Sequence, residues 1–151
     1  MKNNFVLDAC AMIAFLSDEV GANKVQELLD LANYGNISLY IHQINLLEIH
    51  YGIARSDGIG LADNILTEIR KLPIKVVDKI DNHLFDSSSY FKRNYKISLA
   101  DSIALGLSRS LKAKLITSDH HEFDIIDNDK EVEFYWIDDD RLTDDGLPNV
   151  R

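Results

Sequence analysis

The sequence predicts an α/β domain in which a mostly parallel central sheet is flanked by helices. Short β-branched and apolar runs alternate along the chain with stretches of helical character, as in strand–helix–strand units with parallel strands. A chain of 151 residues has the length of one domain. Neither an internal repeat nor a linker is found in the sequence, so we expect a single domain.

The first half of the chain is expected to contain two strands and four helices. The run Phe5-Val6-Leu7 has the character of a buried strand, and residues 37–41 form the second strand. Apolar side chains at helical spacing mark a helix over 22–32, and helices are also expected at 9–16 and 43–55. A fourth helix, over 61–72, ends at Pro73 because proline cannot continue a helix.

The second half is expected to add three strands and two helices. Strands are predicted at 74–77, 114–117 and 132–137, and helices over 81–95 and 98–111. The residues after 137 are mostly polar and acidic. We therefore expect residues 1–137 to form the domain and residues 138–151 to form a loose, acidic C-terminal tail.

The net charge of −9 is unevenly distributed along the chain. Residues 119–145 hold twelve acidic and two basic residues, and subtracting these from the totals of 25 and 16 leaves 13 acidic and 14 basic residues elsewhere. Proteins that bind phosphates usually present a basic face. Because most of the chain is close to neutral, its acidity does not exclude RNA or DNA, although it argues against sequence-independent coating of nucleic acid.

The N-terminal segment and the cysteine content indicate a cytoplasmic protein. Asp8 interrupts the apolar N-terminal stretch and no small-residue cleavage site follows, so a signal peptide is not expected. No apolar run approaches the ~20 residues that a membrane-spanning helix needs. Cys10 is the only cysteine, which excludes an internal disulfide and suits a reducing compartment.

Two aspartates stand at the ends of predicted strands. Asp8 follows the first strand and Asp119 follows the fourth. In parallel α/β sheets, ligands bind beyond the carboxyl ends of the strands, where both side chains would lie. Each also suits a structural role, since aspartate is a favoured helix N-cap and turn residue. The hydroxyls of Thr117 and Ser118 stand beside Asp119, where they could orient a carboxylate or a water molecule.

Two further acidic residues are placed on helices. Glu48 stands among the apolar residues of INLLEIHYGI, which favours a partly buried carboxylate that needs a partner. A solvent-facing glutamate is the ordinary alternative. Asp101 follows Ser98 at the spacing of a capping box, with aspartate in the position of the usual glutamate. In the functional interpretation, Asp101 projects from the first helical turn into the cleft at the carboxyl ends of the strands, where Asp8 and Asp119 are expected.

Taken together, the four acidic residues predict a metal site. Carboxylates that are brought together repel one another unless a cation or a proton relieves them. Mg²⁺ and Mn²⁺ prefer oxygen ligands, polarise phosphoryl oxygens and activate water, which is the chemistry of phosphodiester cleavage. Zinc is not expected at His120 and His121, because no cysteine or histidine partners stand at zinc-finger spacing.

Four segments of the chain, in order, resemble the PIN-domain family of metal-dependent ribonucleases and in particular the VapC-type toxins of toxin–antitoxin pairs. They are FVLDACAMIAFL, NLLEIHYGI, SLADSIALGLS and LITSDHHEF. The resemblance implies a PIN-like domain whose acidic quartet is Asp8, Glu48, Asp101 and Asp119. It further implies an Mg²⁺- or Mn²⁺-dependent endoribonuclease that acts on RNA, forms a homodimer, and has a small cognate antitoxin that occupies the cleft.

Two positions bear on how closely the chain follows the family. Cys10 stands where many members have Ser, Thr or Asn, and a thiol is a poor ligand for Mg²⁺. Many members also have a second acidic residue soon after the fourth. Glu122 and Asp124 are both available for this role, and Glu122 is the preferred additional metal ligand.

Two other functions are weighed against the nuclease. Phosphatases that form an aspartyl-phosphate also begin from an aspartate after the first strand, but they need a second aspartate where this chain has Cys10. A degenerate PIN domain would act only as a non-catalytic binding or assembly module. The intact acidic quartet argues against that second alternative.

Overall fold

A five-stranded sheet forms the middle layer of the structure, a computed structural model that describes residues 3–138. Its strands are β1 (Asn3–Leu7), β2 (Ile37–His42), β3 (Lys75–Val77), β4 (Lys114–Thr117) and β5 (Phe134–Trp136). They lie in the order β3-β2-β1-β4-β5, and every neighbouring pair is parallel. The predicted α/β fold is confirmed, and the sheet is entirely parallel rather than mostly so.

Seven helices are found within the described residues. They are α1 (Ala9–Leu16), α2 (Ala22–Asn33), α3 (Gln43–Asp57), α4 (Ile59–Arg70), α5 (Asn82–Asn94), α6 (Leu99–Leu111) and α7 (His120–Asn128). The first six correspond to the predicted helices, with boundaries that differ by at most two residues. Helix α7 was not predicted, because only Phe123 and Ile126 are buried in it and its sequence is otherwise mainly polar.

Two hydrophobic clusters cover the two faces of the sheet. Successive side chains of a strand point to opposite faces. In β1, Phe5 and Leu7 pack into the cluster that holds the apolar faces of α1, α2, α3 and α4. Val6, between them, packs into the cluster formed with α5, α6 and α7. The domain therefore has three layers, and β1 is buried on both sides.

Helix α6 is held very close to α5. A Cβ atom added to Gly106 of α6 would lie 2.3 Å from the Ser88 hydroxyl and 2.9 Å from its backbone nitrogen, both on α5. Only glycine therefore permits this spacing between the two helices. The contact fixes the position of α6, whose first turn carries Asp101.

The strand order creates a crevice between β1 and β4. The chain proceeds from β1 outward to β2 and β3, and then returns to place β4 and β5 on the other side of β1. Such a reversal leaves an opening at the carboxyl ends of the two central strands, where α/β proteins bind their ligands. Asp8 follows β1 and Asp119 follows β4, so both lie at this crevice.

The structure bears on two further predictions, which concern membrane-spanning helices and the acidic C-terminal tail. Within residues 3–138, no helix is long and apolar enough to cross a membrane. Asp138, the first residue of the predicted tail, is described and half-buried. Residues 139–151 of the predicted tail lie outside the described residues.

Candidate metal centre at the carboxyl ends of β1 and β4

Asp8 is a buried carboxylate at the end of β1. Its side chain is the N-cap of α1 and accepts a hydrogen bond from the Ala11 backbone nitrogen at 2.7 Å. Burial raises the pKa of Asp8 to about 7. Hydrogen bonds from Thr117 and Ala11 oppose this rise, and the negative charges of Asp101 and Asp119 add to it. A buried carboxyl with such a pKa is costly to ionise without a cation nearby.

Asp119 is placed by the equivalent turn after β4. Its side chain caps α7 and accepts from the Glu122 backbone nitrogen at 3.1 Å, while its own backbone nitrogen donates to the Thr117 hydroxyl at 3.0 Å. The same hydroxyl hydrogen-bonds the Asp8 carboxyl. Thr117 is fully buried and therefore links the two aspartates. The sequence indicated that this hydroxyl stands near Asp119, but not that it bridges to Asp8.

Asp101 is the acidic residue that couples electrostatically to all the others. It lies on the first turn of α6, where its backbone nitrogen donates to the Ser98 hydroxyl at 3.1 Å. Burial raises the pKa of Asp101 to about 6, and the Ser98 hydrogen bond opposes this rise. The charges of Glu48, Asp119 and Glu122 raise it further, and Asp101 in turn raises the pKa of Asp8.

Glu48 approaches the cluster from α3 and is half-buried, as its apolar surroundings predicted. Burial raises the pKa of its carboxyl. One turn earlier, the fully buried Asn45 donates its amide to the Ala100 carbonyl oxygen at 3.2 Å, beside Asp101. This hydrogen bond ties the helix of Glu48 to the helix of Asp101.

Two residues at the start of α3, which support the position of Glu48, were not identified from the sequence. Asn45 was overlooked, although a polar residue inside an apolar helical run is a recognisable signal. His42 is buried and caps α3 by accepting a hydrogen bond from the Ile44 backbone nitrogen at 3.0 Å. Its other ring nitrogen lies 3.0 Å from the Lys79 carbonyl oxygen and donates to it. Both residues fix the position of Glu48.

Cys10 lies beside the carboxylates, at the start of α1. Its sulfur is 3.1 Å from the Ser118 hydroxyl oxygen. Burial raises the pKa of the thiol, as do the charges of Asp8 and Asp119, whereas the interaction with Ser118 lowers it. The position that departs from the family pattern is thus part of the same crevice.

Glu122 and Asp124, the two alternatives for a fifth acidic residue, have different surroundings. Asp124 interacts with His120 Nδ1 at 2.7 Å and is directed along α7. Glu122 lies close enough to Asp101 for its charge to raise the pKa of that carboxyl. The structure therefore brings Glu122, and not Asp124, toward the acidic cluster.

The donor set of this crevice suits a hard divalent cation. Within residues 3–138, no lysine or arginine forms an ion pair with any of these acidic residues, which are Asp8, Glu48, Asp101, Asp119 and Glu122. In the same part of the chain, no three His, Cys, Asp or Glu side chains stand close enough to hold one ion together. Mg²⁺ keeps several of its water ligands in proteins, so contacts through water are compatible with this spacing.

The family and fold of the chain are shown by comparison with known proteins. The model of the PIN domain family matches residues 5–129. A search of curated protein sequences finds no match. The fold is similar to chains in several solved structures of 15–18% sequence identity, a level of likeness that concerns the fold alone.

Three solved structures illustrate this similarity. The DNA-bound VapBC of Salmonella typhimurium contains a chain with 15% identity and a TM-score of 0.69, over 91% of this chain and 99% of that one. VapBC-1 of nontypeable Haemophilus influenzae gives 18% identity and a TM-score of 0.68, over 90% and 99%. VapBC2 of Rickettsia felis, bound to a promoter DNA fragment, gives 17% and 0.67, over 87% and 97%.

Proposed function

The chain belongs to the PIN-domain family, and from this premise we propose that it is an Mg²⁺- or Mn²⁺-dependent endoribonuclease of the toxin–antitoxin type. Its metal-binding and catalytic carboxylates are Asp8, Glu48, Asp101 and Asp119, with Glu122 as an additional ligand. The supporting observation is that the charges of these side chains, which come from the ends of two adjacent strands and from three helices, act on one another at one crevice. Within residues 3–138, none of them forms an ion pair with a lysine or arginine. Such a cluster needs a cation to be stable in its ionised form.

The chain's own residues orient this cluster before any substrate binds. The hydrogen bonds from Ala11 and Thr117 hold the Asp8 carboxyl, and the Ser98 cap holds the first turn of α6, which carries Asp101. Glu48 has a raised pKa, which suits a group that accepts a proton from water or orients it. A divalent cation bound here would polarise a phosphoryl oxygen and offset the charge that develops on the leaving oxygen.

The experiment that tests this proposal is RNA cleavage by the purified chain, free of any partner. A mixed pool of structured RNAs is incubated with Mn²⁺, and parallel reactions contain EDTA or the Asp101→Asn variant. The matched control is Asp86→Asn, which changes an exposed aspartate on α5. We expect cleavage by the wild type and the control, and none with EDTA or with Asp101→Asn. Cleavage that persists with EDTA would contradict the metal mechanism.

A result without cleavage is also informative if metal binding is measured on the same sample. Titration with Mn²⁺, followed by calorimetry, distinguishes an active site from a degenerate one. A folded chain that neither binds Mn²⁺ nor cleaves RNA would support the non-catalytic binding or assembly module instead.

We also propose that a cognate antitoxin covers the crevice and the apolar groove beside it. The groove has a volume of about 470 Å³ and lies between α1, α3 and α4; its apolar lining includes Ile13, Leu16, Ile49, Ile53, Leu61 and Ile65. The three similar solved structures described above are VapBC toxin–antitoxin structures. An antitoxin segment with apolar side chains and an arginine would match both the groove and the neighbouring acidic cluster.

Inhibition of cleavage tests this partner. We expect a candidate antitoxin to inhibit RNA cleavage by the wild type. The Leu61→Glu variant should cleave RNA at the basal rate but be inhibited only weakly by the same antitoxin. Leu61 lines the groove, whereas Ile59, 60% exposed, does not and supplies the control Ile59→Glu. Equal inhibition of both variants would contradict the groove as the docking surface.

Two further parts of the proposal concern the state of the protein in the cell. We propose that the chain forms a homodimer and acts in the cytoplasm, where RNA is available. Light scattering coupled to size-exclusion chromatography measures the oligomeric state directly. A monomer over the working concentration range would contradict the dimer.

A further inference from the structure

His120 is held on three sides. Its ring stacks on the Trp136 indole, with 3.9 Å between ring centroids and 10° between the planes. Its Nδ1 atom lies 2.7 Å from an Asp124 carboxylate oxygen, and its Nε2 atom lies 3.1 Å from one of Asp138. Both ring nitrogens are therefore engaged, and neither is free to bind a metal ion.

These contacts join α7 to the edge strand of the sheet. His120 and Asp124 belong to the first turns of α7, while Trp136 lies in β5 and Asp138 follows it. The Trp136 indole nitrogen also donates to a carboxylate oxygen of Asp127, on α7, at 3.2 Å. The ring stack and these polar contacts thus connect the helix to β5; we call them the His120 clamp.

Within the described residues, helix α7 is otherwise held by two core side chains and by the Asp119 cap at its N-terminus. It is nine residues long and buries only Phe123 and Ile126. A helix this short is marginal without tertiary contacts. The N-terminal end of α7 nevertheless carries Asp119 and Glu122, whose charges act on Asp101 across the crevice.

We propose that His120 is a positioning residue, which holds the N-terminal end of α7 so that Asp119 and Glu122 face Asp101. This inference rests on the proposed metal site and assigns His120 a role beside that site rather than in it. Loss of the clamp lets α7 shift or fray, and the two carboxylates then bind the ion less tightly. Supporting residues around metal ligands typically affect metal affinity roughly 10- to 100-fold.

The decisive test uses His120→Phe, which keeps an aromatic ring for stacking but removes both polar contacts. Mn²⁺ affinity is measured by calorimetry on the purified full chain, without RNA. The matched control is His83→Phe, which makes the same change at an exposed histidine on α5. We expect at least about 10-fold weaker Mn²⁺ binding for His120→Phe and less than about twofold change for the control.

Two additional measurements separate positioning from a general loss of structure. Trp136 is the only tryptophan, so its fluorescence reports directly on the clamp and should change in His120→Phe but not in His83→Phe. Asp124→Ala removes one exposed contact of the clamp and should weaken Mn²⁺ binding about threefold, an intermediate effect. Thermal unfolding of each variant shows whether the fold is retained.

The outcomes distinguish this inference from the proposed function. If the wild type binds Mn²⁺ and both His120→Phe and Asp124→Ala bind it equally well, the positioning role is wrong and the metal site stands. If the wild type itself binds no Mn²⁺, the metal site fails, and the role of His120 fails with it. Graded weakening, with altered Trp136 fluorescence in folded variants, supports the inference.

Discussion

The units β1–Asp8–α1 and β4–Asp119–α7 have the same local structure but differ in burial. In each, a parallel strand ends at an aspartate whose side chain caps the next helix through the backbone nitrogen three residues on. Asp8 is only 2% exposed, and α1 buries four of its eight side chains. Asp119 is half-buried, and α7 buries two of nine.

The same strand–aspartate–helix motif therefore leaves one carboxyl buried and the other half-buried. At Asp8, burial raises the pKa to about 7, so the ionised form lowers the stability of the metal-free protein. The unit around Asp119 depends instead on the contacts that hold α7 to β5. The carboxyl on one side of the crevice is therefore buried and costly to ionise, whereas the carboxyl on the other side is more exposed.

The largest expected effect is the loss of RNA cleavage when the aspartate of either unit is replaced. Asp8→Asn and Asp119→Asn should each reduce the single-turnover rate of Mn²⁺-dependent RNA cleavage at least about 1,000-fold, because each removes a charged ligand while asparagine keeps the helix cap. Asp86→Asn, on α5, should cleave like the wild type. Full activity of Asp119→Asn would show that only the buried unit takes part in catalysis.

The second expected effect is on how the free energy of unfolding depends on pH, in which the two units should differ. The carboxyl of Asp8 has a pKa of about 7 in the folded protein against 3.8 when unfolded, so its contribution to stability is complete below pH 3.8 and is lost as the pH rises through 7. At about 1.4 kcal/mol per pKa unit, the loss between about pH 5 and about pH 8 is roughly 3 kcal/mol. Urea unfolding in EDTA measures this loss: the free energy of unfolding should fall between these pH values by that much more in the wild type than in Asp8→Asn.

The same measurement on Asp119→Asn supplies the comparison. That variant should keep most of the pH dependence of the wild type, because the Asp8 carboxyl is still buried and loses only the smaller contribution of the Asp119 charge to its raised pKa. If Asp8→Asn unfolded with the same pH dependence as the wild type, burial would not be the property that distinguishes the two units.

A third effect, of about 1 kcal/mol, concerns the caps alone. Asp119→Ala should lower the free energy of unfolding by about 1 kcal/mol relative to Asp119→Asn, since alanine cannot accept the hydrogen bond from the Glu122 nitrogen. Asp8→Ala loses a similar cap but also removes a buried charge. At pH about 8 in EDTA it should therefore be more stable than the wild type, although it should be less stable than Asp8→Asn, which keeps the cap. Urea unfolding of both variants checks this contrast.

The comparison also shows which features the sequence could predict. Strand β1 and helix α1 were predicted because their residues are buried and strongly apolar, and Asp8 and Asp119 were placed correctly beside their strands. Helix α7 was not predicted because only two of its side chains are buried and its sequence is otherwise mainly polar. Its contacts with β5, made by His120 with residues 16 and 18 positions away, are not visible in local periodicity. The bridge from Thr117 to Asp8 was missed for the same reason, since it depends on the pairing of β1 with β4.

The smallest expected effect is at Cys10, where the two units touch through Ser118. Cys10→Ser should change the free energy of unfolding by less than about 1 kcal/mol, because a serine hydroxyl can keep the hydrogen bond to Ser118. It should also raise the affinity for Mg²⁺ relative to Mn²⁺ a few-fold, since Mg²⁺ prefers oxygen ligands to sulfur more strongly. Calorimetric titration with each ion, on the wild type and the variant, measures this ratio. An unchanged ratio would mean that Cys10 only joins α1 to the end of β4 and does not influence the choice of metal.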